Sequence, residues 1–303
     1  PWQHKASRLA KHALNTPLLL MGNVQWFEQR FVSHMARLSL MLADHYYSSL
    51  PIEKSKSAWR DSQYKAIANT DRQNAKRTSH KPKQQLDEHN IGVAANAQRF
   101  AQNLPALKYT LPAIAQHKLF IKRAGHEKYQ WQDKAFFQAK SIAKSTEKQG
   151  FFGVNMASTG CGKTIANARI MYGLADEKEG CRFSVALGLR TLTLQTGDTY
   201  RELLKLGDDE LAVLIGSQAV KTLHQINREP DKISSGSESA DELFDQLFVS
   251  YEGQIYDGRL KHWLSSSPKL EQMISAPVLV STIDHLMPAT ESKRGGKHHN
   301  NGA

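Results

Sequence analysis

The sequence has few of the features that stabilise secreted proteins or form membrane spans. It contains two cysteines, Cys161 and Cys181, which are too few for a disulfide scaffold and are typical of free thiols in a reducing cytoplasm. No apolar run is long enough to span a bilayer, and the N-terminus has no charged segment followed by a long apolar core. Cysteine and histidine do not recur at the spacing of zinc ligands. We expect a cytoplasmic protein with no membrane partner and no zinc site.

Acidic residues are also scarce. The sequence has 29 Asp and Glu against 40 Lys and Arg, which gives a formal net charge of +11. Such an excess favours a polyanionic partner, because binding to phosphates releases counterions. Charge alone does not distinguish a nucleic-acid-binding protein from one that is merely basic. The sequence starts at Pro1 and ends in a polar string, 298–303, so we expect a piece of a longer protein or a chain processed at both ends.

The N-terminal part combines an amphipathic helix with a polar stretch. Apolar residues recur at three- and four-residue steps from Asn23 to Leu50, which predicts a helix that Pro51 ends. Residues 52–89 are polar and basic, with few positions that could fill a core. We interpret them as a solvent-facing connector or an ordered insertion. Both a solvated surface and a DNA-contacting loop stay open for this segment.

Strands and helices alternate in the second half of the sequence. A helix is predicted to start at Tyr129 and to end at Gly150. The elements predicted after it are a strand at Phe152, Val154 and Met156, a helix over 165–175, a strand over 183–189, a helix over 199–205, and strands over 211–215 and 277–283. This alternation predicts an α/β fold, with a parallel sheet and helices on its faces.

A glycine-rich loop follows the first of these predicted strands. It consists of Ala157, Ser158, Thr159, Gly160, Cys161, Gly162, Lys163 and Thr164. Its glycines let backbone N–H groups surround phosphate oxygens, and the positive end of the next helix points at the same anion. In such a loop Lys163 reaches the β- and γ-phosphates, and the Thr164 hydroxyl coordinates Mg²⁺. The sequence therefore predicts a P-loop that binds ATP and Mg²⁺, with Ala157 in place of the usual first glycine.

A P-loop enzyme also needs an aspartate that holds Mg²⁺ and a glutamate that positions water. Asp241 and Glu242 are the candidate pair, but they follow no apolar strand, and with Ser239 they match a helix-capping box. We interpret this pair as structural and expect the acidic motif to lie beyond Ala303.

Several segments resemble one known family. The Ala-x-x-Gly-x-Gly-Lys-Thr form of the loop is similar to that of superfamily-two helicases. Residues 187–197 resemble the next helicase motif, and residues 278–287 resemble the later DNA-contact motif. Both are close to the CRISPR-associated helicase–nuclease family of type I interference (Cas-three), particularly its subtype I-F form. Residues 41–48 resemble the closing segment of that family's HD nuclease domain.

The resemblance implies a domain organisation. Residues 1–52 would be the helical C-terminal part of an HD-type nuclease domain, and 53–105 a basic polar connector with helices. Residues 106–303 would be the first RecA-like helicase domain, incomplete before the acidic motif.

The resemblance also implies roles for individual residues. Gln132 matches the family's adenine-reading glutamine, with Gln130 as the rival, because an amide both donates and accepts. The two DNA-contact motifs supply Arg190 and Thr191, and Thr282 and Asp284. Ordinary roles at strand ends and at a helix start remain the alternative for Thr191, Thr282 and Asp284.

Asp44 matches the last metal-ligand aspartate of HD nucleases. Leu40, Met41 and Tyr47 share its helical face, which predicts a buried carboxylate that needs a metal or a cation. Arg37 lies two helical turns earlier. A divalent transition metal at Asp44 and an ion pair with Arg37 both stay open. The family's His-Asp pair is not found upstream, and we interpret the other histidines as surface or core residues.

The leading hypothesis is part of an ATP-dependent single-stranded DNA translocase and nuclease, recruited by a crRNA-guided surveillance complex to degrade invader DNA. The chain alone is expected to be inactive, because hydrolysis also needs the acidic motif and a second motor domain. Two alternatives are another superfamily-two DNA translocase and a short form that binds nucleotide or DNA without catalysis.

Overall fold

The computed structural model of the chain describes residues 2–21, 29–51, 63–71, 81–216, 247–253, 260–265 and 268–290. Its helices are α1 (Trp2–Leu14), α2 (Pro17–Leu20), α3 (Arg30–Ser49), α4 (Leu86–Asn103), α5 (Leu107–Thr110), α6 (Lys118–Ile121), α7 (Gln130–Gln149), α8 (Lys163–Leu174), α9 (Arg190–Leu204), α10 (Lys261–Leu264), α11 (Pro268–Ser275) and α12 (Ile283–Thr290). Its strands are β1 (Ile67–Asp71), β2 (Lys81–Gln85), β3 (Phe183–Leu187), β4 (Leu211–Gly216), β5 (Leu247–Ser250) and β6 (Val278–Thr282). The capping box predicted at Asp241 and Glu242 lies outside the described residues.

Four strands form the main sheet, in the order β3-β6-β4-β5. β3, β6 and β4 run parallel, and β5 is antiparallel to β4. Val278 at the start of β6 pairs with Phe183 on one side and with Leu211 on the other. All of β6 is buried, which suits an apolar strand with a partner on each edge. The predicted α/β fold with a parallel sheet is confirmed.

One predicted strand is wrong. The residues before the glycine loop have irregular backbone, and Phe152 and Met156 are 92% and 90% exposed. A strand with period-two apolar residues needs a neighbour for its backbone hydrogen bonds. Among the described strands, none pairs with this segment. Its alternating pattern is therefore left on the surface in this structure.

Helix α9 starts nine residues earlier than predicted, at Arg190 rather than at Thr199. Its buried positions include Thr193, Thr196 and Gly197, so its inner face lacks the apolar repeat that would have revealed it. The small residues allow close packing, because a Cβ added to Gly197 would lie 2.6 Å from a methyl of Val213 on β4.

The main core lies between the sheet and helices α6, α8 and α9. A second core joins segments that are far apart in sequence, since Leu42 of α3 and Phe100 of α4 pack with Trp263 of α10. The rings of Phe100 and Trp263 meet edge-on, with centroids 5.9 Å apart. The helix predicted to end at Pro51 thus packs on α4 and on residues from the C-terminal half.

The polar segment after Pro51 includes an antiparallel pair of strands, β1 and β2. A side-chain hydrogen bond connects the two strands: the Asn69 amide N–H donates to Gln84 Oε1 at 2.8 Å. This explains why apolar alternation did not predict the two strands.

Within the described residues, no helix has the length and apolar character needed to cross a bilayer.

Arg182, just before β3, connects the sheet to the end of α11. Its guanidinium donates to the carbonyl oxygens of Ser275 at 3.1 Å and Ala276 at 3.0 Å, and also to those of Pro112 and Ile274. Burial lowers the pKa of Arg182. The carbonyls at a helix C-terminus lack partners within the helix, and a cation is favourable there.

Gly92 of α4 lies directly against the Tyr47 ring of α3. A Cβ added there would lie 2.2 Å from Cζ of the buried Tyr47. The Tyr47 ring is held edge-on against His89, with centroids 5.9 Å apart, so it has no room to retreat.

We expect Gly92→Ala to destabilise the chain. Overpacking costs about 1–3 kcal/mol, which exceeds the gain of about 1 kcal/mol in helix propensity. Urea unfolding measures the change. Gly125→Ala is the matched control, because its added Cβ meets no atom within 4 Å. Equal stability of the two variants would contradict the packing described here.

Candidate nucleotide and nucleic-acid site

The glycine loop ends where α8 begins, at Lys163. Gly160 and Gly162 have φ of 75° and 77°, in the left-handed region that other residues rarely adopt. The loop closes on itself through the Cys161 N–H, which donates to Ser158 O at 3.4 Å. The Ala166 N–H donates to Gly162 O at 3.1 Å and starts the helix. The loop is thus a tight turn that opens directly onto the N-terminus of a helix.

The Lys163 side chain turns back over this loop. Its ammonium donates to Ala157 O at 2.5 Å and to Ser158 O at 3.2 Å. These partners are neutral backbone carbonyls of the loop itself. Thr164, the next residue, is half-buried in the first turn of α8. The two residues predicted to contact phosphate and Mg²⁺ therefore lie together at the helix N-terminus.

Helix α7 holds the loop from the other side. Gln132 is buried, and its amide N–H donates to Gly162 O at 3.2 Å and to Cys161 O at 3.5 Å. The indole N–H of Trp131 also donates to Cys161 O, at 3.2 Å. A Cβ added to Gly162 would lie 2.5 Å from the Gln132 amide nitrogen. Gln130, the rival candidate, is exposed at the start of α7.

A buried ion pair connects α7 to α8. Arg169 on α8 is 2% exposed, and its Nη2 lies 2.7 Å from Asp133 Oδ1 on α7. The Arg169 Nε–H donates to Phe120 O at 2.9 Å. The Ala124 N–H lies 3.1 Å from each Asp133 oxygen. The ion pair holds α7 against α8, the helix that follows the glycine loop. Because Asp133 follows Gln132 directly, it also helps to position Gln132 at the loop.

The two segments predicted to contact DNA lie side by side. Leu187, the last residue of β3, pairs with Thr282, the last residue of β6. Arg190 and Thr191 begin α9 just beyond β3 and are exposed, and Asp284 is exposed in the first turn of α12. Thr282 is buried. Ligands of parallel α/β sheets bind outside the carboxyl ends of strands, where these residues lie.

The surroundings of His285 on α12 lower the pKa of its imidazole. Burial lowers the pKa of His285, the Arg190 guanidinium lowers it further, and the neighbouring Asp284 carboxylate opposes them. The charge of Arg190, at the start of α9, therefore contributes to the pKa of a side chain on α12.

Asp44 is paired with a histidine that the sequence did not single out. Its Oδ1 lies 2.9 Å from His89 Nε2, on α4. Asp44 is only partly buried, contrary to expectation. His89 is one of the histidines interpreted as surface or core residues, and it is partly buried in this contact. The pairing joins residues far apart in sequence, whereas helical spacing reveals only partners on the same helix, such as Arg37.

The hydrogen bonds around His89 fix one of its protons. Gln84 Nε2 donates to Tyr47 O at 2.7 Å, so Gln84 Oε1 faces the ring and accepts. His89 Nδ1 lies 2.9 Å from that oxygen and must carry a proton. Among the described residues, no group of three or more His, Cys, Asp or Glu is placed to hold a metal.

Comparison with protein-family models gives no match. Two curated relatives are similar along nearly the whole chain. The CRISPR-associated nuclease/helicase Cas3 subtype I-F/YPEST of Pectobacterium atrosepticum is 54% identical over 301 residues, which are 97% of this chain and 26% of the relative. The protein of the same name from Pseudomonas aeruginosa is 47% identical over 296 residues, which are 97% of this chain and 27% of the relative.

The chain therefore spans about a quarter of the length of the curated relatives it matches. The resemblance predicted from the loop and the two strand-end segments is confirmed: along this region the chain is a relative of the subtype I-F Cas3 nuclease/helicases.

We expect Asp133→Ala to destabilise the chain by about 3–5 kcal/mol, because it leaves the Arg169 charge buried without its partner. Adding Arg169→Met should recover part of the loss. Chemical unfolding measures both. Asp198→Ala is the matched control: Asp198 is mostly exposed, lies 3.7 Å from Arg201, and should cost less than about 1 kcal/mol. A similar effect of the two alanine variants would refute the proposed importance of the buried pair.

We expect the two cysteines to differ in reactivity. Burial raises the pKa of the Cys181 thiol to about 12, while Cys161 in the glycine loop is half-buried. Thiolate is the reactive form, so iodoacetamide at neutral pH should label Cys161 and spare Cys181. Peptide mass spectrometry measures the labelling, and the guanidinium-unfolded chain, in which both should react, is the control. Equal labelling of the folded chain would show that Cys181 is not protected.

Proposed function

We propose that this chain provides the ATP-binding and single-stranded-DNA-binding region of an ATP-dependent translocase and nuclease. In this proposal the whole protein degrades invader DNA in type I CRISPR interference, in the cytoplasm, after recruitment by a crRNA-guided surveillance complex. The names of both relatives, nuclease/helicase, support it. The observation that carries it is the placement of Lys163 and Thr164 at the N-terminus of α8, on a loop with two left-handed glycines.

The loop residues fit a nucleotide phosphate and Mg²⁺. The left-handed glycines and the first turn of α8 present backbone N–H groups, which is the donor set that phosphate oxygens require. Lys163 would exchange its carbonyl partners for phosphate oxygens, and the Thr164 hydroxyl would hold Mg²⁺. Bound there, Mg²⁺ would supply positive charge that neutralises the charge developing on the phosphates. Gln132 already contacts the loop, and it is our candidate for the residue that recognises the adenine base.

The strand-end residues fit the backbone of a single DNA strand. Arg190 offers a guanidinium for phosphate, and Thr191 offers a hydroxyl. Thr282 is buried, so its part would be to shape the end of β6, while exposed Asp284 would limit where phosphates can approach. The net charge of +11 on the whole chain is consistent with a polyanionic partner.

The assignment of α3 to an HD nuclease domain, and of the sheet to a RecA-like domain, belongs to the same proposal. Asp44 and His89 supply a carboxylate and an imidazole, but both nitrogens of His89 are already engaged, by Asp44 and Gln84. The described residues thus do not form a complete site for a divalent transition metal. We propose that this region alone binds nucleotide and DNA without turnover.

We expect Lys163→Ala to weaken binding of a fluorescent Mg²⁺–ATP analogue to this chain by about 10-fold or more. A hydrogen bond to a charged group contributes about 1.5–3 kcal/mol, and about 1.4 kcal/mol is one factor of ten in affinity. Fluorescence anisotropy measures the affinity. Lys140→Ala is the matched control, because Lys140 pairs with Glu177 on the surface away from the loop.

A second readout ties the result to the loop. Bound nucleotide should slow alkylation of Cys161 in the unaltered chain and not in the Lys163→Ala variant. Unchanged nucleotide affinity in that variant, or no binding by the unaltered chain, would refute the nucleotide site.

A further inference from the structure

Helix α9 connects the candidate DNA contact to the candidate nucleotide site. It begins at Arg190, beyond the end of β3. Ten residues later, about 15 Å along the helix axis, the Tyr200 hydroxyl donates to Thr164 O at 3.3 Å. Thr164 is the second residue of α8 and follows Lys163. One helix and one hydrogen bond therefore join the two candidate sites.

Helix α9 is held firmly enough to transmit a displacement. Gly197 packs against Val213 on β4 with no space for a side chain. Tyr200 is 1% exposed, and its ring meets Phe183 of β3 edge-on, with centroids 6.3 Å apart. Interiors packed in this way deform little and pass strain between neighbouring elements.

The hydroxyl of Tyr200 is buried and makes a hydrogen bond to α8. Burying a hydroxyl without a partner is unfavourable, and phenylalanine would fill the same space without that cost. The Tyr200 hydroxyl has such a partner, because it donates to a carbonyl oxygen of α8. Its acceptor is the carbonyl of the residue whose side chain is the candidate Mg²⁺ ligand.

We propose that Tyr200 is a positioning residue that couples DNA binding at Arg190 to nucleotide binding at Lys163 and Thr164. This inference rests on the proposed function. DNA that moves the start of α9 shifts Tyr200, and Tyr200 shifts the first turn of α8. Such coupling is reciprocal, so each ligand changes the affinity for the other by the same factor.

A matched control is available on α8, the helix that contains Thr164. The hydroxyl of Tyr172, in the last turn of α8, accepts from the His117 N–H at 2.9 Å. Tyr172→Phe therefore removes a tyrosine hydroxyl bond of α8 that does not lead to α9. Phe183→Leu is a second control, because it loosens the packing of Tyr200 while keeping its hydroxyl.

The experiment measures the affinity of the chain for a Mg²⁺–ATP analogue without and with saturating oligo(dT), together with the affinity for oligo(dT) alone. We expect DNA to change the nucleotide affinity of the unaltered chain by about 5-fold or more, the usual lower range of such coupling. Tyr200→Phe should reduce the change to less than about 2-fold and leave binding of each single ligand nearly intact. Tyr172→Phe and Phe183→Leu should keep the coupling. Thermal unfolding of each variant separates loss of stability from loss of coupling.

The possible outcomes distinguish failure of this inference from failure of the proposed function on which it rests. An unaltered chain that binds neither ligand would refute the proposed function. Binding of both ligands without coupling, or full coupling in Tyr200→Phe, would refute the role of Tyr200 alone. Loss of coupling in Phe183→Leu as well would assign the effect to packing and not to the hydroxyl.

Discussion

The ion pair between Asp133 and Arg169 is the constraint on which the candidate site depends. Separating a charge buried this deeply from its partner is costly, so the pair favours the observed arrangement of α7 against α8. Trp131 and Gln132 precede Asp133, and both donate to carbonyls of the glycine loop. Three consecutive residues of α7 therefore hold the loop and the helix that follows it. The loop's shape is set as much by this neighbouring helix as by its own glycines.

Local patterns predicted much of the α/β part. The glycine loop, helix α8 and strands β3, β4 and β6 each show their character within a few residues, because periodicity and turn chemistry are local properties. The segment at Phe152 has the same alternation, yet a strand exists only where another strand accepts its hydrogen bonds. Helix α9 was predicted short because the first half of its inner face consists of threonine and glycine. In both cases packing partners decided the outcome.

The partner of Asp44 shows the same limit at a single side chain. Helical spacing pointed to Arg37, two turns away on the same helix, whereas the structure pairs Asp44 with His89 on α4. The histidine is oriented by Gln84, itself part of a hairpin with no apolar signal. A network of polar groups drawn from three elements leaves no periodic trace in the sequence. The strand-end residues were found because the resemblance named them, and the sheet then placed them side by side.

The order of strands in the sheet has a consequence for how the protein is made. β6 lies between β3 and β4, although it is the last of the three to be synthesised. Two strands with open edges must therefore wait on the ribosome for the one that joins them. At translation rates of about 5–20 residues per second, the ribosome needs roughly 5–20 s to pass from β3 to β6. During that interval the edges of β3 and β4 that β6 joins lack their final partner, so this part of the sheet forms only after β6 has emerged.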